Sequence, residues 1–419
     1  MVDVFTDKTL SYRNLLEESC NLAEALRTYG YSTNTILSIC SENSLKFFIP
    51  VLASLFVGST MAPLNHNYTQ LELKHTLNIS KPKVVFCSEA TSSKFINLKK
   101  ELEYIEAVVI IDSNREIFEA ETLKEFVSKA LKGNYVLPYK FQPFIGDTSS
   151  LGAFIMCSSD RRYQDEDGVT LGLMPFFHAY GLIVSLTSII YKRKIIVLRE
   201  FEEDRFLKAI QDHKISLLSL APPLAIFFGK DPEVIKLRFI LFTFSRLKNV
   251  SIRQGYGLTE ATLAVTKMDK MSARPGSSGK VAPYMSCKVR DPETGKSLGP
   301  NQVGELCFKG PMIMMGYYNN EKATRESFTS DGWLKTGDLG YYDNEGFVYI
   351  VDRLKELIKY KGFQVAPAEL EAILVNHPKV RDVGVVGLPD DLSGELPLAF
   401  VVKHEGVNVT EKRTSGLCC

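Results

Sequence analysis

The chain has 419 residues, of which 45% are hydrophobic, and this length can bury a sizeable core in two or three domains. Its formal net charge is +1, with 24% charged residues of both signs interspersed, so neither a nucleic-acid-binding patch nor a polybasic membrane arm is expected. The first residues lack a basic segment followed by an apolar one, so no leader peptide is expected.

The first half alternates predicted helices with short apolar strands. Leu15 and Leu22 share one helical face, which predicts a helix over residues 11–29 that begins at Ser11 and ends at Gly30. Further strands are predicted at residues 35–40, 83–87, 107–112, 169–175, 195–198 and 215–220. Further helices are predicted at residues 43–57, 182–190 and 202–213. Continuous apolar strands between amphipathic helices are typical of parallel sheets covered on both faces.

Hydropathy indicates a protein without a membrane span. The longest apolar stretch, residues 47–63, is shorter than the roughly 20 residues that a bilayer requires and is interpreted as a buried helix. The eight cysteines lack metal-site spacing, which favours reduced thiols inside the cell. Cys418 and Cys419 are interpreted as an ordinary tail, with a double-cysteine prenylation end as the alternative.

Glycine-punctuated short strands begin near residue 275. Residues 340–343 and 347–351 predict a hairpin around Asn344, Glu345 and Gly346, and a small α+β module follows Arg353. The predicted domains are therefore an N-terminal α/β domain (1–275), a β-rich subdomain (276–351) and a C-terminal module (352–419) that ends before a compact unit is complete.

Residues 254–260 read Gln-Gly-Tyr-Gly-Leu-Thr-Glu. The flat ring of Tyr256 suits stacking against a purine, and Gly255 and Gly257 let backbone approach closely. Thr259 can donate a hydrogen bond to a phosphate, and Glu260 can hold the Mg²⁺ that accompanies a nucleoside triphosphate. An ordinary glycine-rich turn with a solvated glutamate is the alternative.

Two further polar stretches lie nearer the C-terminus. Residues 333–338 place Asp338 after a glycine, where a carboxylate can accept hydrogen bonds from both ribose hydroxyls; a plain turn is the alternative. Residues 352–362 run from Asp352 into a basic strand, a pattern typical of a hinge between domains, with a solvated run of charges as the alternative.

Together, in this order and spacing, the three stretches resemble the adenylate-forming superfamily, in particular beetle luciferases and luciferase-like acyl-CoA synthetases. The resemblance extends from near residue 5 to about residue 411 and includes residues 275–280, 304–306, 310–311, 316–317 and 367–371. It implies a large N-terminal α/β domain with mixed and parallel sheets covered by helices, a β-rich subdomain and a truncated α+β C-terminal domain. It also implies that ATP and Mg²⁺ convert a carboxylic acid, such as a fatty acid, to an acyl-adenylate and that coenzyme A then displaces AMP.

The resemblance assigns roles to individual residues. The ATP- or AMP-binding residues would be Gly255, Tyr256, Gly257, Thr259, Asp338 and Arg353. The catalytic residues would be Thr259, Glu260, which would also bind Mg²⁺, and Lys359, which would serve the second half-reaction. Asp352 would be the pivot of the hinge. The acid would lie against His178, Tyr180 and Leu263, although a packed core histidine is the alternative at the first of these.

Three segments that the resemblance implies are absent from the sequence. A phosphate loop ending in Pro-Lys-Gly should follow residues 156–159, but acidic residues 165–167 stand nearby instead. A Gly-Gly-Ala-Pro turn is missing between Phe244 and Val250, and the chain ends before the family's adenylation lysine. Because losing one phosphate donor commonly costs about 3–4 kcal/mol of barrier, little or no adenylation is expected.

Three functions therefore remain open: an acyl-CoA synthetase impaired in this form, a luciferase-type monooxygenase, and a non-catalytic truncated isoform. Bulky, apolar Leu263 suits an alkyl tail better than a polar heteroaromatic acid and favours the synthetase. The resemblance implies a peroxisomal location for complete members, but this chain ends in Leu417-Cys418-Cys419 and is expected to be cytoplasmic.

Overall fold

The chain forms two compact units in a computed structural model, Met1–Val250 and Ser251–Cys419. The structure describes residues 1–113, 115, 117–143, 168–221, 224, 253–269, 274–360, 363–375, 377–390, 393–404 and 406. The missing phosphate loop, the missing turn before Val250 and the cysteine tail were predicted for segments that lie outside these residues.

The first unit is built from parallel strands and helices. Its described strands are β1 (Val2–Asp3), β2 (Ile36–Cys40), β3 (Thr60–Leu64), β4 (Val84–Cys87), β5 (Ala107–Ile110), β6 (Glu121–Thr122), β7 (Val169–Gly172) and β8 (Lys194–Val197). Its described helices are α1 (Tyr12–Thr28), α2 (Phe48–Val57), α3 (Gln70–Ser80), α4 (Glu89–Glu101), α5 (Leu123–Leu131), α6 (Ala179–Ile190) and α7 (Glu203–His213). The strands form two parallel sheets with the orders β3-β2-β4-β5-β6 and β1-β8-β7.

A buried asparagine ties these two sheets together. Asn43 follows β2, and its amide nitrogen lies 3.1–3.2 Å from the carbonyl oxygens of residues 172, 173, 174 and 198, at the ends of β7 and β8. Its amide oxygen accepts a hydrogen bond of 2.7 Å from the backbone nitrogen of Phe176. Beneath it, the fully buried rings of Phe47, Phe48 and Phe176 pack against one another. Asn43 therefore fixes the loop that leads to His178.

The second unit consists mainly of antiparallel sheets. Its described strands are β9 (Gly255–Leu258), β10 (Leu263–Lys267), β11 (Lys280–Val281), β12 (Ser286–Arg290), β13 (Ser297–Leu298), β14 (Gly304–Lys309), β15 (Leu334–Tyr342), β16 (Val348–Arg353), β17 (Ile358–Tyr360), β18 (Phe363–Val365), β19 (Val380–Asp390) and β20 (Gly394–Lys403). Its described helices are α8 (Glu321–Ser327) and α9 (Pro367–Val375). The sheet orders are β11-β10-β9, β13-β12-β14-β15-β16 and β18-β17-β20-β19.

Two of these sheets are joined beside the candidate site. The backbone nitrogen of Ser278 donates to the carbonyl of Val348 at 2.9 Å, and the backbone nitrogen of Val348 donates to the carbonyl of Gly279 at 2.9 Å. These bonds attach the sheet that contains Tyr256 to strand β16, next to β15 and Asp338.

Most of the predicted elements are present, with three differences. The apolar stretch 47–63 is not one helix: α2 ends at Gly58, which has φ +82°, and β3 follows. The helix predicted to begin at Asn43 begins at Phe48, because Asn43 is engaged in its backbone contacts. The strand predicted over residues 215–220 is wrong, since Leu217 forms only an isolated bridge to Thr170.

The described residues contain no helix that is long and apolar enough to cross a membrane. The described cysteines, Cys20, Cys40, Cys87, Cys287 and Cys307, are free thiols.

Candidate functional site

Tyr256 lies in the middle of β9, which pairs with β10 in antiparallel register. Its backbone nitrogen donates to the hydroxyl of Thr266 at 3.1 Å, and that hydroxyl donates to the carbonyl of Ser278 at 3.0 Å. The register shifts between Ala264 and Thr266, so a β-bulge in β10 positions this hydroxyl. A buried hydroxyl on the neighbouring strand thus holds the tyrosine backbone.

Gly257 is required by the strand pairing itself. A Cβ atom at this position would lie 1.3 Å from the carbonyl oxygen of Leu263. Thr262 and Leu263 lead into β10 with φ values of +51° and +92°, which are unfavourable for residues with a side chain. The glycine therefore accommodates a tight, strained connection between β9 and β10, whereas the sequence had suggested close approach to a ligand.

The structure brings together the predicted purine-stacking residue and the predicted ribose-binding residue. The hydroxyl of Tyr256 donates a hydrogen bond to Oδ2 of Asp338. The tyrosine ring lies 6.1 Å, centroid to centroid, from the ring of Phe308 on β14. Burial, followed by the charge of Asp338, raises the pKa of Tyr256, so its hydroxyl remains a neutral donor.

Asp338 is fixed from three sides. Its backbone nitrogen donates to the hydroxyl of Thr336 at 3.0 Å, and this hydroxyl donates to the carbonyl of Leu306 at 2.8 Å. Asp338 is the direct cross-strand partner of Arg353, whose Nε lies 3.6 Å from Oδ1 of Asp338. The carboxyl is 16% exposed and the arginine 70%, so one charge is half-buried and the other faces solvent.

Burial is the main influence on the Asp338 carboxyl and raises its pKa above 3.8. The hydrogen bond from Tyr256 and the charge of Arg353 oppose this increase, whereas the nearby carboxylates of Glu356 and Glu260 add to it. Such a half-buried carboxylate with a phenol donor and a cation beside it is suited to accept hydrogen bonds from a sugar.

Thr259 and Glu260 begin a short 3-10 turn, Thr259–Ala261, directly after β9. The Glu260 carbonyl accepts from the backbone nitrogen of Met314 at 2.8 Å, and its Oε1 accepts from the Tyr317 hydroxyl at 2.7 Å. Thr259 is exposed. These two predicted phosphate- and metal-facing residues therefore lie beside Tyr256 in the chain, with the glutamate held in place.

The predicted hinge residues lie at the end of β16 and in β17. Asp352 accepts through Oδ1 from the backbone nitrogen of Arg353 at 2.7 Å and through Oδ2 from that of Ala368 at 3.4 Å. The backbone nitrogen of Lys359 donates to Oε2 of Glu395 at 2.7 Å, and its side chain is exposed. Asp352 thus links the end of β16 to the start of α9.

His178 and Tyr180 belong to the first unit. Exposed His178 caps α6, because its Nδ1 accepts from the backbone nitrogen of Tyr180 at 3.2 Å. Tyr180 is partly buried against the cluster that includes Leu171 and Phe206. Burial raises the pKa of Tyr180, and Ser219 hydrogen-bonds to its hydroxyl.

Three residues of the second-unit site were given no role from the sequence: Phe308, Tyr317 and Thr336. A hydroxyl residue two positions before a turn aspartate is a recognised turn pattern, so Thr336 could have been found. Tyr317 belongs to residues 316–317 of the resemblance, to which no function was assigned. Phe308 could not be identified from the sequence, because only strand pairing brings it near the Tyr256 ring.

Two family models match most of the chain. The family model described as AMP-binding enzyme matches residues 1–143 and 148–318, and that described as AMP-binding enzyme C-terminal domain matches residues 369–418. The chain is 39% identical to the luciferin 4-monooxygenase of Photuris pensylvanica over 461 residues, which cover 98% of this chain and 84% of the relative. It is 34% identical to the probable 4-coumarate–CoA ligase 1 of Dictyostelium discoideum, with 98% and 84% covered.

Among solved structures, the fold is similar to ATP-bound MatB from Rhodopseudomonas palustris. The TM-score is 0.85 at 23% identity, with 99% of this chain and 88% of the other covered. The likeness at this identity concerns the fold.

Proposed function

The chain belongs to the AMP-binding, adenylate-forming enzyme family, and on that premise we propose that it is an acid–thiol ligase of the fatty acyl-CoA synthetase type, impaired in its adenylation step. Its substrates are a carboxylic acid, ATP and coenzyme A. The observation that carries the proposal is the hydrogen bond from Tyr256 to Asp338, with Arg353 opposite.

This arrangement suits an adenosine group. An aromatic ring offers a stacking surface to any base, a contact worth about 1–3 kcal/mol. The Asp338 carboxylate accepts from hydroxyl groups, and the Arg353 guanidinium, 70% exposed and paired with Asp338 and Glu356, has further donors to contribute. The side chains that recognise the base and the sugar are therefore held by one hydrogen bond to each other.

Glu260 fits a magnesium ion that arrives with the nucleotide. Magnesium is commonly held by one or two carboxylates together with substrate phosphates. The described residues contain no preformed cluster of three or more metal-ligating side chains. Glu260 supplies one carboxylate, and its Oε2 has no partner within the described part of the chain. Bound magnesium neutralises charge on the phosphates.

The proposed reaction needs no nucleophile from the protein. The acid's carboxylate oxygen bonds to the α-phosphorus of ATP while the bond to the bridging oxygen breaks, and pyrophosphate leaves. The sulfur of coenzyme A then bonds to the acyl carbon, AMP leaves, and the thiol proton passes to solvent. Residues of this chain align the reactants and counter phosphate charge, with Thr259 as a donor and Lys359 serving the second step.

The proposed impairment rests on residues that the chain lacks. The alignment with the Photuris relative covers 461 residues, which exceeds the 419 residues of this chain, so at least 42 positions of the relative have no counterpart here. Residues 158–167 lack the glycines and lysine of the expected phosphate loop. Without these hydrogen-bond donors and this positive charge, the negative charge on the phosphates is poorly stabilised in the transition state.

A luciferase-type monooxygenase is the second candidate, favoured by the 39% identity to a luciferin 4-monooxygenase. Bulky, apolar Leu263, to which the resemblance assigns a contact with the acid, argues against a polar heteroaromatic acid. Light emission with luciferin and ATP, compared with thioester formation from a fatty acid and coenzyme A, separates the two activities.

ATP–pyrophosphate exchange tests the proposed function. With lauric or oleic acid, we expect the chain to exchange at least about 100-fold more slowly than a version with the phosphate loop restored after Ser159, because one donor alone accounts for about that factor. Brisk exchange by the unrestored chain would contradict the impairment. No exchange by a folded, restored chain would contradict the ligase assignment.

A further inference from the structure

Residues 312–317 are fastened to the turn that follows β9 by three hydrogen bonds. The hydroxyl of Thr262 donates to the carbonyl of Met312 at 2.8 Å, and the backbone nitrogen of Met314 donates to the carbonyl of Glu260 at 2.8 Å. The third bond, 2.7 Å long, runs from the Tyr317 hydroxyl to Oε1 of Glu260. The first two of these hydrogen bonds involve backbone carbonyl groups, and only the third involves the side-chain carboxylate of Glu260.

Tyr317 is itself anchored. Its backbone nitrogen donates to the hydroxyl of Thr324 in α8 at 2.9 Å. Gly316 precedes it at φ +156°, and a Cβ there would lie 2.6 Å from the Thr324 methyl carbon. The tyrosine ring remains 40% exposed.

Among the described residues, Oε1 of the Glu260 carboxylate is therefore restrained by a hydrogen bond and Oε2 has no hydrogen-bond partner. A glutamate side chain rotates about several bonds. If metal binding must restrict these rotations, the lost conformational entropy lowers the affinity for the metal. Partners that hold a metal ligand in place are often worth 10–100-fold in metal affinity.

We propose that Tyr317 is a positioning residue that fixes Glu260 for the magnesium ion carried by the nucleotide. The inference rests on the proposed function, because it takes Glu260 as the magnesium ligand. It assigns to Tyr317 an effect on magnesium dependence alone, since its hydroxyl bonds to Glu260 and, among the described residues, to neither Tyr256 nor Asp338.

The test is calorimetric titration of the full chain with AMP in the absence of metal and with ATP at increasing Mg²⁺. For Tyr317→Phe we expect AMP affinity within about 2-fold of wild type and a half-saturating Mg²⁺ concentration raised about 10-fold. Glu260→Gln should abolish the dependence of ATP binding on Mg²⁺. This variant therefore shows the largest change that loss of the Glu260 carboxylate can produce.

Two control variants separate positioning from general loosening of the loop. Tyr318→Phe removes the adjacent hydroxyl, which has no hydrogen-bond partner among the described residues, and Thr262→Val removes a bond to Met312 without touching the carboxylate. Neither should shift the Mg²⁺ requirement.

The possible outcomes distinguish the two proposals. An unchanged Mg²⁺ requirement in Tyr317→Phe, an equal shift in Thr262→Val, or Mg²⁺-independent ATP binding by wild type would overturn the role of Tyr317 while leaving the nucleotide site intact. A wild-type chain that binds neither AMP nor ATP would overturn the proposed function and this inference together.

Discussion

At the scale of single residues, the site depends on one half-buried carboxyl. Asp338 is held by Thr336 through the backbone and by Tyr256 through its side chain, and burial raises its pKa. In the proposed site, ribose hydroxyls would donate to this carboxylate alongside Tyr256, which already donates to Oδ2. If Asp338 binds the ribose as we propose, its protonation state sets the affinity for the sugar.

Adenosine binding should weaken as the pH falls. The weakening should begin at a higher pH than it would if the pKa of Asp338 had the ordinary value for an aspartate. The folded-state pKa of Asp338 lies above 3.8, so falling pH protonates the carboxyl early and removes an acceptor for the ribose. Ionisation of a carboxyl with a raised pKa disfavours the folded state, so its protonation does not itself unfold the chain. Adenosine is the probe because it has no phosphate to titrate.

Calorimetry across this pH range is the measurement, with circular dichroism to monitor the fold. Asp338→Asn should lower adenosine affinity about 10-fold or more at neutral pH and flatten the pH profile, because hydrogen bonds to charged groups contribute about 1.5–3 kcal/mol. A variant that keeps the wild-type profile would remove Asp338 from the ribose site.

At the scale of elements, the paired strands β9 and β10 determine where Tyr256 stands. Gly257 leaves room for the carbonyl of Leu263, and the bulge at Thr266 holds the tyrosine backbone. The connection contains two residues with positive φ, Thr262 and Leu263, which commonly cost about 1–3 kcal/mol each and persist only where the surroundings enforce them.

Gly257→Ala should destabilise the second unit by about 3 kcal/mol or more. The new Cβ would meet backbone that is fixed by strand pairing and cannot rotate away. Urea unfolding, followed by circular dichroism, measures the loss. Gly299→Ala is the matched control, since its Cβ would lie 3.8 Å from the nearest atom, the Gln302 Oε1, and should change stability by less than about 1 kcal/mol. Equal stability of the two variants would contradict this account.

Element types were predictable from the sequence where periodicity was strong, as in α1 and the parallel strands. Tertiary contacts caused the errors. Asn43 delays the start of α2 because its amide is occupied by backbone groups from distant strands. The steric need for Gly257 was not predictable, because the carbonyl oxygen that a side chain would meet comes from a neighbouring strand. Local patterns carry no information about such contacts.

At the scale of the whole molecule, the structure brings together three residues that the sequence predicts to bind the nucleotide. Tyr256, Asp338 and Arg353 are distant in sequence but meet in the structure, because β15 and β16 pair and the β9–β11 sheet joins β16. The partner of Glu260 was not predictable, since Tyr317 reaches it from a loop without periodicity. We therefore propose that the fold retains a site for a nucleoside, whereas the activation of the phosphates is impaired.

Titration of the full chain with AMP tests this claim most directly. We predict measurable, saturable binding by wild type and a loss of about 10-fold or more in Asp338→Ala, with the fold unchanged by circular dichroism. Absence of AMP binding by the folded wild-type chain, or binding that the Asp338→Ala substitution leaves untouched, would contradict it.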